Sequence, residues 1–469
     1  MTAPITLTLS GDQYARLRQI LFPGDGKEAV AILLCGRRGG LRRHRLLVRT
    51  IVEIPQLECA ERLPGRVRWS TDSLAPALDQ AEEHGLSVVK IHSHPGGHGE
   101  FSPIDDQADR QLLPMIHDWV EHKVPHGSAI MLPDGAILAR ILWPGQPHFQ
   151  PFSQVNVAGD DLKFWYPAHD RLETPGFLAS QSQIFDDGTI ERLRRLSIAV
   201  VGASGTGSPV VEQLYRLGVG ELVLVDDEPA EERNINRVLN STIRDARRQR
   251  PKVLLQKEAI ERAGLGTRVV ALEENLWTRE AVHEVAQCDV VFGCMDSVDG
   301  RYLLNTISTY YSIPYFDIGV RLLPDQRWGR QGIREVCGTV NYLQPGKSSL
   351  MSRGLFSMSQ VAQAGLARND PAAYRQQVDE GYIAGGENHR PAVISVNMFA
   401  ASLAVNEFLA RLHPYREEEN AEHAAVQFSL ASMELISEAE TGTCDILAGR
   451  TGLGDVEPLL GQLELMKVK

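Results

Sequence analysis

The stretch LSIAVVGASGTGSPVVEQLYRLGVGELVLVDD (196–227) constrains this chain more than any other. A short continuous apolar run, LSIAVVG, is followed by a glycine-rich turn, a helical segment and a second run, ELVLVDD. Strands that read as unbroken apolar runs are buried on both faces, as in a parallel sheet covered by helices. The same order continues through RVVAL (268–272), CDVVFGC (288–294) and a strand before IGV (318–320). That alternation predicts an α/β, doubly wound parallel sheet. With 469 residues the chain has room for two or three domains at ~150 residues each, so a separate unit is expected ahead of this sheet.

Residues 1–150 carry a different pattern. Strand candidates are ITLTL (5–9), AVAILLCG (29–36), HRLLVRTIVEI (44–54), LSVVKIHSH (86–94), GSAIMLP (127–133) and AILARILW (136–143). Helical candidates are DQYARLRQIL (12–21), SLAPALDQAEEH (73–84) and SPIDDQADRQLLPMI (102–116). Antiparallel-looking strands with a few helices predict an α+β domain. The stretch 144–180 is proline-rich and aperiodic and reads as a linker or wrapping segment, giving domains over 1–150 and 181–469 with a linker over 151–180.

Composition removes several function classes. The net charge of -12 gives no electrostatic footprint for nucleic acid. Six scattered cysteines without a C-x-x-C pair argue against a disulfide framework. There is no signal-peptide pattern and no apolar run of the ~20 residues a membrane span needs, so the cytoplasm is the expected location and no membrane partner is expected. Two arginine clusters, 37–45 and 244–250, read as solvated surface, the second adjoining a nucleotide site.

One loop of the first domain carries chemistry. HSHPGGHGEFSPID (92–105) places His92 and His94 on one face at a strand end and Asp105 at a helix start, with Ser102 just before it. Two imidazoles and a carboxylate suit zinc with one position left for water. Glu28, at the mouth of the strand GKEAVAILLCG, is the acid best placed to serve as general base. His92, His94, Ser102 and Asp105 at these spacings, with Glu28 upstream, resemble the JAB/MPN (JAMM) metalloprotease motif over roughly residues 5–145. The resemblance implies Zn2+ on His92, His94 and Asp105, Glu28 as acid/base and Ser102 steadying the oxyanion. It further implies cleavage after the terminal glycine of ubiquitin-like proteins.

The second constellation lies on the doubly wound sheet. A strict G-x-G-x-x-G dinucleotide fingerprint fails in GASGTGSPV, yet Gly202, Gly205 and Gly207 still allow phosphate to approach a helix N-terminus. Ser208 is expected as N-cap with Pro209 at the first helical position. Asp226 ends the next strand, where an acid accepts from ribose hydroxyls. VDDEPAEERNINR (225–237), Lys252 and CMDS (294–297) resemble the ubiquitin-activating and ThiF/MoeB-type sulfur-carrier adenylyltransferases, over about 180–469. The Rossmann-like resemblance implies ATP as nucleotide, Asp226 at the ribose, Asn234 and Arg237 at the nucleotide and its phosphates, Lys252 on the phosphates and Asp296 holding Mg2+. It also implies a homodimer and a small β-grasp ubiquitin-like protein as substrate, with an E2-like conjugating protein as a further partner.

The sequence departs from that family in three ways. PGKSSLMSRG (345–354) lacks the cysteines of a structural zinc and only Cys444 remains near the C-terminus, so no second zinc is expected. A covalent intermediate has to use Cys337, Cys444 or one of Ser348, Ser349 and Ser352, or no covalent step exists. The arginine ahead of the first strand is not evident, leaving Arg171, Arg192 or a partner subunit to supply it. The expected function is a bifunctional enzyme of a bacterial ubiquitin-like system, which adenylates the terminal glycine and trims or removes the modifier. The rivals are sulfur-carrier activation for thiocarboxylate formation and a non-catalytic ubiquitin-like-binding scaffold.

Overall fold

A computed structural model describes residues 3–167, 172–325, 332–380, 383 and 392–466. Two compact units emerge. The first comprises Met1–Arg171 with Thr309–Ser312 and Gly449–Gly461; the second comprises Leu172–Ser308, Ile313–Ala448 and Gln462–Lys469.

The first unit is built on strands β1 (Ile5–Ser10), β2 (Val30–Gly39), β3 (His44–Glu53), β6 (Ser87–Ser93), β7 (His126–Met131), β8 (Ile137–Leu142), β9 (Gln150–Pro151), β10 (Gln154–Ala158) and β11 (Leu162–Trp165). They form one nine-stranded sheet in the order β11-β10-β1-β3-β2-β6-β7-β8-β9. A small hairpin of β4 (Cys59–Leu63) and β5 (Arg66–Trp69) stands apart from it. Helix α1 (Gly11–Leu21) buries Tyr14, Leu17 and Leu21 on one face of the sheet, against Leu33, Val89 and Ile91. Helices α2 (Ala75–His84) and α3 (Pro103–Trp119) cover the other face, where Leu78, Leu113 and Ile116 pack on Val30, Ile32 and Val88. Alternate residues of β6 serve opposite faces, as the two-residue period of a strand dictates. Each fully buried Leu or Ile here stabilises the fold by ~1.5–3 kcal/mol.

Two expectations change. The sheet is mixed rather than antiparallel, since β1 runs parallel to β3 and β10 and β6 runs parallel to β7. The stretch expected as a linker over 151–180 contains β10 and β11, which extend the sheet edge. Each spans five residues or fewer, too short to stand out as a strand in a stretch otherwise rich in proline.

The second unit carries α4 (Ala179–Arg195), β12 (Ser197–Val201), α5 (Gly207–Arg216), β13 (Glu221–Val225), α6 (Ile243–Arg247), α7 (Lys252–Ala263) and β14 (Arg268–Leu272). It continues with α8 (Arg279–Val285), β15 (Val290–Gly293), α9 (Val298–Tyr310), β16 (Tyr315–Asp325) and β17 (Gly332–Leu343). Helices α10 (Met358–Asn369), α11 (Pro371–Asp379) and α12 (Ile394–Leu412) precede β18 (Ala425–Ser429) and β19 (Glu434–Glu438). The sheet order is β14-β13-β12-β15-β16-β17-β18-β19. The first five strands pair in parallel and the last three extend the sheet antiparallel. Strand order reverses beside β12, which is the switch point where such sheets bind ligands at their carboxyl ends. No helix among the described residues is long and apolar enough to cross a membrane.

Candidate functional site

The first site forms where β2 and β6 pair antiparallel, with Val30 opposite His92. Glu28 lies two residues before Val30 and so shares its face. Ala29 N donates to Ser93 Oγ (3.0 Å) and Ser93 N to Ala29 O (3.0 Å), fixing the strand mouth. Ser102 caps α3 in a reciprocal box, its hydroxyl accepting from Asp105 N while Ser102 N donates to Asp105 Oδ2 at 2.8 Å. That box turns the carboxylate back towards the strand. His92 Nε2 then lies 3.0 Å from Asp105 Oδ1 and 3.1 Å from His94 Nε2, and His94 Nε2 lies 3.5 Å from Asp105 Oδ2.

These three residues are the one group of metal-ligating donors found close enough among the described residues, all within 4.8 Å. His94 Nδ1 bonds the His98 carbonyl at 2.8 Å, which assigns the proton to Nδ1 and leaves the Nε2 lone pair facing the cluster. Burial pushes His92 down to about 4, so its ring is the neutral form that ligates a metal. For Asp105 burial raises the pKa, but the close approach of His92 and His94 overcomes it and holds the carboxyl well below the usual carboxylate range. Two imidazole nitrogens and a carboxylate converging with lone pairs inward fit a divalent cation. Glu28 is 6% exposed. Burial raises its carboxyl to about 7; His94 opposes the rise, Asp105 adds to it and Lys90 opposes it. A carboxyl near neutrality takes up and returns a proton, the property a general base needs.

Beneath this cluster lies a buried network that sequence reasoning missed. Lys90 Nζ meets Asp109 Oδ1 at 2.5 Å, and Arg140 Nη2 meets Asp109 Oδ2 at 2.6 Å. Arg140 also pairs with Asp106 and lies 3.8 Å from the Phe101 ring centroid. A lysine within the apolar run VVKIH was the available signal.

The second site gathers at the carboxyl ends of β12, β13 and β15. Gly202 has φ +93°, open to glycine at little cost, and a Cβ there would sit 2.7 Å from the Cys294 carbonyl oxygen. A Cβ on Gly207 would collide with the Gly202 carbonyl, and one on Gly205 with the Asn397 amide, with Arg237 Cδ at 3.0 Å. These glycines therefore let the loop fold on itself and on its neighbours. Asp226 Oδ2 accepts from Ala203 N at 2.7 Å and its Oδ1 from Glu228 N at 2.9 Å, so it fastens the glycine loop. Burial raises the Asp226 carboxyl; Lys252 opposes this. Lys252, fully buried, places Nζ 2.6 Å from Glu228 Oε2 and 3.7 Å from Asp226 Oδ1. Arg237 is drawn down chiefly by burial and by Arg233, while Asp296 and Glu228 support its charge. Asp296 is exposed in the loop after β15.

Several expected roles shift. Asn234 is buried and spends its Oδ1 on Glu231 N (3.0 Å), building its own turn. Ser208 does not cap α5, which begins at Gly207; its hydroxyl accepts from Leu239 N (3.0 Å). Arg192 gives its guanidinium to the Leu412 carbonyl (2.9 Å), away from the glycine loop, and Arg171 lies outside the described residues. The first arginine cluster is not all solvated, because Arg45 is fully buried beside Thr8 and Arg38 pairs with Asp455 at 3.1 Å. Cys444 is buried, with Ser349 Oγ 3.1 Å from its sulfur, and Cys337 is half-buried on β17. Ser348 accepts from Arg353 Nε (2.8 Å), and Ser352 Oγ accepts from Ser349 N (2.8 Å). Asn397 on α12, given no role from sequence, keeps a buried amide oxygen that takes no hydrogen bond from any described residue.

A family described as the ThiF family matches residues 178–445, more than half of the chain. The chain belongs to the ThiF family. Residues 12–136 match the prokaryotic homologs of the JAB domain, so this ThiF protein carries a JAB domain ahead of its doubly wound sheet. It is similar to the SAMP-activating enzyme E1 of Haloferax volcanii, 35% identical over 26% of this chain and 45% of the relative. It is likewise similar to the sulfur carrier protein adenylyltransferase of Thermus thermophilus, 32% identical over the same shares. The chain spans less than half the length of either relative. A crystal structure of E. coli MccB with ATP aligns with TM-score 0.43 and 14% identity, over 58% of this chain and 74% of that one.

Proposed function

We propose that this ThiF protein acts twice on the C-terminal tail of a small β-grasp ubiquitin-like protein in the cytoplasm. The ThiF unit adenylates the terminal glycine: its carboxylate attacks the α-phosphorus of ATP, and the bond to the leaving pyrophosphate breaks. Lys252 and Arg237 stand near the glycine loop as the positive charge that this transition state needs, and Asp296 is the acid to hold Mg2+. Asp226 orders the loop and is the acid nearest a ribose. The partners are the ubiquitin-like protein, an E2-like acceptor and a second copy of this chain, which would supply the arginine that Arg192 does not.

The JAB unit hydrolyses the bond after the tail glycine, trimming a precursor or releasing the modifier. His92, His94 and Asp105 would hold Zn2+, which when bound polarises the carbonyl and lowers the pKa of its water to around 7. Glu28 takes the proton of the attacking water at its carboxylate and returns it to the leaving nitrogen. The Ser102 hydroxyl donates to Asp105 Oδ2 (2.7 Å) and would turn from that carboxylate to meet the developing oxyanion. The observation that carries this reading is the buried Glu28, poised near 7 beside three converging donors, for which a binding scaffold has no use. The test is cleavage of a ubiquitin-like protein extended past its terminal glycine. Wild type should cleave it and Glu28→Gln should not, whereas a variant that cleaves normally would refute the reading.

Sulfur-carrier activation is the second reading. It is favoured by the sulfur-carrier relative and by the burial of Cys444, which leaves only the half-buried Cys337 of the two candidate thiols for a thioester. ATP–pyrophosphate exchange should occur under both readings and vanish in Asp296→Ala.

A further inference from the structure

Asp105 and Asp109 are four residues apart on α3, and Lys90 and His92 are two apart on β6. Four helical residues advance ~6 Å and two strand residues ~6.6 Å, so the two spacings match. Strand and helix are therefore joined twice in register, by His92–Asp105 at 3.0 Å and, one step further in, by Lys90–Asp109 at 2.5 Å. Asp109 is fully buried, and a buried carboxylate is costly without partners; here it has two, Lys90 and Arg140. Arg140 comes from β8 and also pairs with Asp106, the residue after the metal-ligating carboxylate. Its guanidinium packs on Phe101, next to the Ser102 cap.

Helix α3 needs such anchoring. Pro114 lies inside it and removes the amide that would bond the Arg110 carbonyl, loosening the first turns from the rest. Those first turns carry Asp105. Nothing in the hydrolytic chemistry calls on Lys90, Asp109 or Arg140, yet all three are at most 8% exposed.

We propose that Lys90, Asp109 and Arg140 are positioning residues that hold the N-terminal turns of α3 at the distance where Asp105 joins His92 and His94 around a cation. The inference rests on the metal-site reading. Supporting groups of this kind typically cost 10–100-fold in metal affinity when removed.

The experiment is a zinc titration of the full chain against a chelating indicator, with wild type, Asp109→Asn, Arg140→Gln and Asp109→Glu. Melting of the zinc-free proteins and ATP–pyrophosphate exchange serve as controls for folding. The expected result is zinc affinity lowered by about 10-fold or more in Asp109→Asn and Arg140→Gln. Asp109→Glu should recover part of the loss, and all variants should stay folded at the assay temperature. Unchanged zinc affinity in the folded Asp109→Asn and Arg140→Gln variants would overturn the proposal. Wild type that binds no zinc would instead overturn the metal-site reading itself. If Asp109→Asn fails to fold, Arg140→Gln decides the matter, because it leaves the Lys90–Asp109 pair in place.

Discussion

Single side chains in the JAB unit have protonation states that burial dictates. His126 is fully buried and accepts a hydrogen bond from Val88 N at Nδ1 (3.0 Å), on the strand that carries His92. Burial pushes its pKa down to about 3, with His117 and Arg37 adding to the fall. The unfolded chain takes up that proton at ~6.5, so stability is present above that value and is lost as pH falls towards about 3. The His126 ring should therefore stay neutral at pH 5 in an NMR titration of the folded protein, and a midpoint near 6.5 would show the account to be wrong. Glu28→Gln should cut hydrolysis by ~10²–10⁴-fold, the usual worth of a general base, while bound zinc is retained. Loss of zinc would instead make Glu28 a ligand. At this scale the sequence was legible where chemistry has a fixed spacing. The donor set of His92, His94 and Asp105 assembles as the motif implied. Lys90 and Asp109 were not legible, because their pairing depends on which strand faces which helix.

Among elements, the loop between β12 and α5 shows how little space separates function from collision. Gly207 faces the Gly202 carbonyl and Gly205 faces Asn397 and Arg237, so the loop tolerates no side chain at either position. Gly207→Ala should displace the loop and slow ATP–pyrophosphate exchange by at least ~10²-fold, the penalty for misplacing reacting groups by about 1 Å. Exchange at the wild-type rate would mean that the loop is not where the phosphates bind. The alternation of apolar run, turn and helix made the doubly wound sheet readable in advance, since β12, β13 and β15 are buried at every residue and so on both faces. The edge strands β10 and β11 were not readable: each spans five residues or fewer. Residues as few as these carry no clear period, and pairing decides their fate, β10 on β1 and β11 on β10.

For the whole molecule, the chain order of the units is not the order of their parts. Gly449–Gly461 belongs to the first unit, where Gly454 bridges Arg37 in parallel and Asp455 bonds Arg38 Nη1 (3.1 Å), Gly39 N (3.3 Å) and Tyr311 OH (2.9 Å). Asp455→Ala would leave Arg38 buried beside an empty place, at ~1–3 kcal/mol. The expected outcome is a lower melting temperature for the first unit, with unchanged pyrophosphate exchange; a Tm equal to wild type would deny the segment this role. In the function proposed above, one chain couples tail activation to a metal-dependent tail hydrolase. Its most direct measurement is the metal content of the purified full chain supplied with zinc, by elemental mass spectrometry. Wild type should carry one zinc per chain, and His92→Ala and Asp105→Ala should carry none. A wild type without zinc, or variants that keep it, would mean that His92, His94 and Asp105 form no metal centre.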